Sequence, residues 1–115
     1  MFKRENRLVT SVRFNSSILF SAVQFIVKEK KNNLLLNRFG IVVSKKIDKR
    51  AVVRNRVKRM LRTILVNLNK NMDPGHDILF ITKAPILNKT KEENYSVVKN
   101  AFEKAGLLKR LKIKD

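Results

Sequence analysis

Residues 50–59 read RAVVRNRVKR, five cationic side chains in ten positions with Val52, Val53 and Val57 threaded between them. A charge run this dense ordinarily stays solvated and unordered. Here the apolar residues keep helical spacing: Val53, Val57, Met60, Leu61, Ile64, Leu65 and Leu68 fall at i, i+4, i+7, i+8, i+11, i+12 and i+15. One apolar stripe sustained for about four turns predicts an amphipathic helix. Asp48 stands at its start, placed to cap free N–H groups and to suit the helix dipole. Asn69, Asn71 and Pro74-Gly75 end it.

Strand patterns flank this helix. AVQFIVKE, residues 22–29, alternates, with Val23, Phe25 and Val27 on one face and Gln24, Ile26 and Lys28 on the other. KKNNLLLN reads as a turn, and RFGIVVSKK, residues 38–46, as a second strand whose run Ile41-Val42-Val43 predicts cover on both faces. Their short separation suggests an antiparallel pair. HDILFITKA, residues 76–84, is a third strand closed by Pro85. Thr90 and Glu93 have capping-box spacing and open a last helix. Its buried face would be Val97, Val98, Ala101, Phe102 and Ala105, with Gly106 as the stop. A short N-terminal helix is expected near 11–20. The predicted order is α-β-β-α-β-α, an α+β fold (an α/β sandwich) in which the basic helix is a β-α-β crossover on a small central sheet. One domain over 1–115 is expected, with 107–115 as a basic tail that frays.

Composition narrows the function. Lys plus Arg total 27 against 9 Asp plus Glu, a formal net charge of +18. A compact domain so charged repels itself unless a polyanion is near, and nucleic acid is the default partner. No Cys is present, which removes thiolate metal sites and Cys nucleophiles and fits a reducing compartment. MFKRENRL has no apolar run after its charges, so no secretory signal is expected. No stretch reaches the roughly 20 apolar residues of a membrane span, and no membrane partner is expected.

The block SKKIDKRAVVRNRVKRMLR, residues 44–62, holds Lys45, Lys46, Lys49, Arg50, Arg54, Arg56, Lys58, Arg59 and Arg62, with Asp48 as its one acid. Arg54, Lys58 and Arg62 form an i, i+4, i+8 ridge, Asn55 and Arg59 stand beside it, and Arg56 falls on the opposite flank. A merely soluble helix face interleaves Glu; this one does not. Arg offers a planar fork of donors matching phosphate oxygens, and Lys a mobile point charge. Phe14 and Phe20 lie shortly before the open face of the first strand, where an apolar groove beside a basic helix can cradle single-stranded bases. For Phe20 a core role is the better reading. No catalytic set emerges. His76 is the lone His and reads as structural or solvated, the acids are scattered, and no Gly-rich phosphate loop exists. These residues alone describe a binder of RNA or DNA.

Residues 38–62, RFGIVVSKKIDKRAVVRNRVKRMLR, resemble the RNR signature of the protein subunit of bacterial ribonuclease P. The matching elements are Val43-Ser44-Lys45-Lys46, Ala51-Val52, Arg54-Asn55-Arg56-Val57-Lys58-Arg59 and Leu61-Arg62. DILFITKAP matches the family's next strand, and Asn6-Arg7-Leu8, Phe14 and Gln24-Phe25 its start. The segment between Phe14 and Gln24 is a few residues shorter than usual.

The resemblance implies a left-handed β-α-β crossover through the basic helix. It implies a bacterial, cytoplasmic ribonucleoprotein endoribonuclease in which a separate RNA with Mg²⁺ is the catalyst and removes the 5′ leader of precursor tRNA. Carried over by position, Lys45, Lys46, Lys49, Arg50, Arg54, Asn55, Arg56, Lys58, Arg59 and Arg62 bind RNA. Phe14, Ile26 and Lys28 line a leader groove, with Lys28 standing where many relatives carry an aromatic residue. No protein catalytic residue, protein-held metal or DNA partner is expected. The alternative is a ribosomal or other structural RNA-binding protein without a role in cleavage. A leucine-zipper DNA binder is disfavoured, because no leucine heptads follow the basic run.

Overall fold

The computed structural model describes residues 6–8 and 17–108. Its elements are β1 (Ser17–Ser21), β2 (Phe25–Lys31), β3 (Arg38–Val42), α1 (Ala51–Asn69), β4 (His76–Thr82) and α2 (Lys91–Lys104), with a 3₁₀ turn at Ala84–Asn88. The four strands form one sheet in the order β1-β2-β4-β3. β4 is antiparallel to β2 and parallel to β3, so β3-α1-β4 is the expected crossover, wound through the basic helix.

Three local expectations are corrected. Residues 17–20 are strand, not helix: SILFS pairs with β2, with an irregularity between Ile18 and Phe20 that breaks the alternation a strand normally shows. The rest of the expected N-terminal helix, 11–16, lies outside the described residues. Nor do β2 and β3 pair, because β4 inserts between them. The continuous apolar run Ile78-Leu79-Phe80-Ile81 takes the centre of the sheet, paired along both edges, and β3 goes to an edge. Finally, β2 begins at Phe25 rather than Ala22. Val23 projects from the turn, 62% exposed, while Gln24 is buried and its Nε2 donates to Asn94 Oδ1 of α2 at 3.2 Å.

The core lies between one face of the sheet and the two helices. Phe25, Val27, Phe39, Ile78 and Phe80 meet Val57, Leu61, Ile64, Leu65 and Leu68 of α1 and Val98 and Phe102 of α2. Phe20 packs edge-on against Phe25 at 5.9 Å, which gives it the core role. Burying an aliphatic or aromatic side chain contributes roughly 1.5–3 kcal/mol, so the α1 stripe alone fixes that helix on the sheet. α2 starts with the capping box: Glu93 N–H donates to Thr90 Oγ1 at 3.0 Å and Thr90 N–H to Glu93 Oε1 at 2.8 Å. Of its expected buried face, Val98 and Phe102 are buried and Val97 and Ala101 half-buried, whereas Ala105 is exposed because the helix has already ended.

Gly106, at φ +77°, makes the left-handed turn that follows α2. Leu107 N–H then reaches Phe102 O at 2.9 Å, Leu107 is buried, and Leu108 bridges Met72. The first two residues of the expected tail are therefore packed; 109–115 lie outside the described residues.

Candidate nucleic-acid interface

α1 presents its cations in two sets. Arg54, Lys58 and Arg62 are half-buried, near the sheet, whereas Asn55, Arg56 and Arg59 are exposed, as are Lys45, Lys46, Lys49 and Arg50 in the approach to the helix. With 3.6 residues per turn, Lys58 and Arg62 occupy one flank, Arg56 the other, and Arg59 the outward face between them. Lys58 and Arg62 line a cleft of about 160 Å³ together with Arg7, Leu8 and the β3 residues Phe39, Gly40 and Ile41. Residues 6–8 are pinned to the β3 edge: Leu8 N–H donates to Phe39 O at 2.9 Å and Asn6 Nδ2 to Asn37 O at 2.6 Å. Arg7 thereby joins two cations that lie some fifty residues away. Its place in the cluster follows from an edge pairing that no helical spacing reveals.

The helix entry is not capped by Asp48. Arg50 is the N-cap residue and gives no side-chain cap. Asp48 instead accepts from Arg50 N–H at 2.8 Å and from its guanidinium at 3.0 Å. Those hydrogen bonds from Arg50 hold the Asp48 carboxyl down to a pKa of about 2. Arg54 Nη1 donates to the carbonyls of Asp48 and Lys49 at 3.0 and 2.7 Å. Part of the ridge residue Arg54 is thus committed to fixing the loop that carries Lys45, Lys46 and Lys49.

The sheet's second face is directed away from the main core. Residues paired directly across strands share a face, and side chains alternate along each strand. The registers therefore place three rows there: Ser21, Ile26, Ile81 and Val42; then Ile18, Lys28, Leu79 and Gly40; then Lys30, Asp77 and Arg38. Ile26 and Lys28 stand on this face as expected, whereas Gln24 belongs to the buried turn. Ile18 shares the face, and so do Leu79, Ile81 and Val42, which were not singled out from sequence because only the order of the sheet assembles them. Phe14, the remaining groove residue, lies outside the described residues.

Asp77, Glu29 and Glu93 serve local structure. Asp77 is paired with Arg38 at 2.7 Å, Glu29 Oε2 lies 2.7 Å from His76 Nδ1, and Glu93 closes the capping box. Burial pushes the Asp77 carboxyl up, but hydrogen bonds from Arg38 and Asn32 outweigh it and leave the group below its ordinary value. Among the described residues no three His, Cys, Asp or Glu side chains converge on a common point, and no helix is long and apolar enough to cross a membrane. The arrangement is a cationic helix with a polar cleft on one flank, beside a sheet face that grades from aliphatic to charged. It can bind and orient a polyanion.

Comparison with known proteins agrees. The Ribonuclease P family model matches residues 2–106. The ribonuclease P protein component of Bacillus mycoides is 40% identical over 93 residues, covering 77% of this chain and 76% of the relative. That of Clostridium botulinum strain Langeland is 38% identical over 78 residues, covering 67% and 69%. Among solved structures, the RNase P protein from Thermotoga maritima superposes with a TM-score of 0.68 at 25% identity, over 93% of this chain and 98% of that one. The RNase P protein from Staphylococcus aureus superposes with a TM-score of 0.70 over 97% and 99%, a likeness of fold at 23% identity. With the family model spanning nearly the whole of the described fold, the chain belongs to the ribonuclease P protein family.

Proposed function

We propose that the chain acts as the protein subunit of a bacterial ribonuclease P, docking on the catalytic RNA and holding the 5′ leader of precursor tRNA while the RNA removes it. The observation that carries this reading is the α1 surface: five cations, no acid, and a fixed entry loop bearing further lysines. Each phosphate met there releases counterions, so binding to RNA gains free energy that falls with salt. Arg56, the outward Arg59 and the loop cations Lys45, Lys46, Lys49 and Arg50 suit a structured RNA. The flank of Lys58 and Arg62, with Arg7, opens toward the β3 edge and the sheet's second face, and suits the single-stranded leader.

Mg²⁺, which the family's reaction implies, finds no cluster of carboxylates among the described residues: Asp77, Asp48 and Glu29 are engaged by Arg38, Arg50 and His76. The ion belongs to the RNA in this reading, and no step is assigned to it through the protein. The protein offsets repulsion between two polyanions and fixes the leader. Cleavage takes place in the cytoplasm.

Reconstitution tests the proposal. Mixed with a bacterial ribonuclease P RNA, the chain should release the 5′ leader at Mg²⁺ concentrations where that RNA alone is slow, and the chain alone should cleave nothing. Leader removal by the protein without RNA, or no effect on the RNA at low Mg²⁺, refutes it.

A further inference from the structure

Arg38 lies outside the basic block, yet the fold prepares it as an anion donor. Its Nε donates to Asp77 Oδ1 at 2.8 Å and its Nη2 to Oδ2 at 2.7 Å, the two-pronged geometry that locks a guanidinium plane. Asp77 is itself fixed by Asn32 Nδ2 at 2.8 Å and is only 1% exposed. The Arg38 side chain is 36% exposed, and its Nη1 has no hydrogen-bond partner among the described residues. A buried carboxylate therefore holds an arginine still at the surface with one nitrogen to spare.

The rows of the second face give Arg38 a context. Lys28 stands in the middle row between Ile18 and Leu79, and Arg38 stands one row further on, two strands away. With about 3.3 Å per residue and about 4.8 Å between strands, their Cα atoms are about 12 Å apart. Besides Ser21, Gly40, Lys30 and Asp77, the face carries the aliphatic Ile26, Ile81, Val42 and Ile18, with Leu79 buried among them. The aromatic rings of the described strands, Phe20, Phe25, Phe39 and Phe80, pack into the opposite core. Among the described residues, bases laid on these rows meet no ring to stack on, while a backbone laid across them meets Lys28 and then the row of Lys30 and Arg38.

We propose that Lys28 and Arg38 bind successive parts of the phosphate backbone of a leader strand crossing the second face, Arg38 being the far anchor and Asp77 its positioning residue. The grip is ionic and indifferent to base identity. This rests on the leader reading above and adds to it a second anchor and a mode of recognition.

The test uses the chain reconstituted with a bacterial ribonuclease P RNA and two precursor tRNAs, one with a short leader that ends before these rows and one with a long leader that crosses them. The measured quantity is the ratio of their affinities at about 50 and about 200 mM KCl. For single strands each phosphate held lowers log K by about 0.7 per log unit of salt, so the long-leader advantage should shrink about 2.6-fold per contact, or about sevenfold for two.

Arg38→Gln and Lys28→Met should each remove about 2.6-fold of that salt dependence, leave the short-leader affinity unchanged, and make no difference between purine and pyrimidine leaders. Arg38→Lys, which keeps the charge without the fork, should restore part of the advantage. The short-leader arm reports whether each variant is folded. An unchanged long-leader ratio in both variants overturns the proposal, as does an equal loss for short and long leaders, which marks Arg38 as structural only. Absence of any leader advantage in the unmodified chain sinks the leader reading itself, a distinguishable result.

Discussion

Arg54 and Arg59 look alike in sequence, two arginines of one basic run, and the structure separates them. Arg59 is exposed, and among the described residues its side chain has no hydrogen-bond partner, while its backbone carbonyl accepts from Thr63 Oγ1 at 2.9 Å. Arg54 donates to the Asp48 and Lys49 carbonyls. Arg59→Ala should therefore act on binding and Arg54→Ala on both binding and folding. If Arg59 meets one phosphate, its loss should flatten the slope of log K against log salt by about 0.7–0.9. Between about 50 and about 200 mM salt the variant's deficit in RNA affinity should then shrink about threefold. Its unfolding midpoint should not move. A hydrogen bond from a charged donor contributes about 1.5–3 kcal/mol, and half-exposure reduces that, so Arg54→Ala should cost about 1–2 kcal/mol of stability in urea unfolding. Filter binding of the catalytic RNA over a salt series, run beside the denaturation curves, gives both numbers. Parallel salt plots for the unmodified chain and Arg59→Ala refute the assignment of Arg59 to phosphate, whatever the loss at a single salt concentration.

Leu61→Ala leaves a cavity at a fully buried point of α1 and should cost about 2–5 kcal/mol, read by chemical denaturation. Thr90→Ala removes one half of the capping box of α2 and should cost about 0.5–2 kcal/mol, read by chemical denaturation. Asp48 and Asp77 both have carboxyls below their ordinary value in the fold. Their contribution is therefore present above the unfolded carboxylate range and is lost as pH falls, for Asp48 through about 2. Acid titration of stability should show Asp77→Asn losing part of the fall below pH about 4; a curve superimposable on the unmodified chain contradicts the pairing with Arg38.

The α1 helix, the capping box of α2 and the glycine stop were legible because each is a local signal: a 3.6 period, a Thr-to-Glu spacing, one residue free to take positive φ. The strand order was not. Short separation favoured pairing β2 with β3, but the most apolar strand, β4, gains most from the centre, and that preference depends on segments far apart in sequence. The site divides the same way. The basic residues of α1 were named from one continuous run. Arg7 and the rows containing Ile18, Leu79 and Arg38 are brought to the site by edge pairing and sheet register, which a linear pattern does not encode. Gln24 misled because alternation was extended three residues into a turn, where Asn94 rather than the pleat decides its direction.

The two helices provide an internal control on why α1 is so charged. α2 carries Lys91, Lys99 and Lys104 against Glu92, Glu93 and Glu103, a neutral helix with acids at its N-terminus and a base at its end. α1 carries Arg54, Arg56, Lys58, Arg59 and Arg62 with no acid at all. A general bias toward basic residues would have marked both. The like-charge neighbours of α1, such as Arg54 with Lys58 and Lys58 with Arg62, destabilise it by roughly 0.2–0.5 kcal/mol per pair. Its five buried apolar residues contribute several times that through burial against the sheet. The helix therefore stays folded without RNA and keeps its repulsion in reserve. When phosphates neutralise the outer face, that repulsion is relieved and adds to the binding free energy. The fold thus couples RNA affinity to the packing of Val57, Leu61, Ile64, Leu65 and Leu68, residues that touch no nucleic acid.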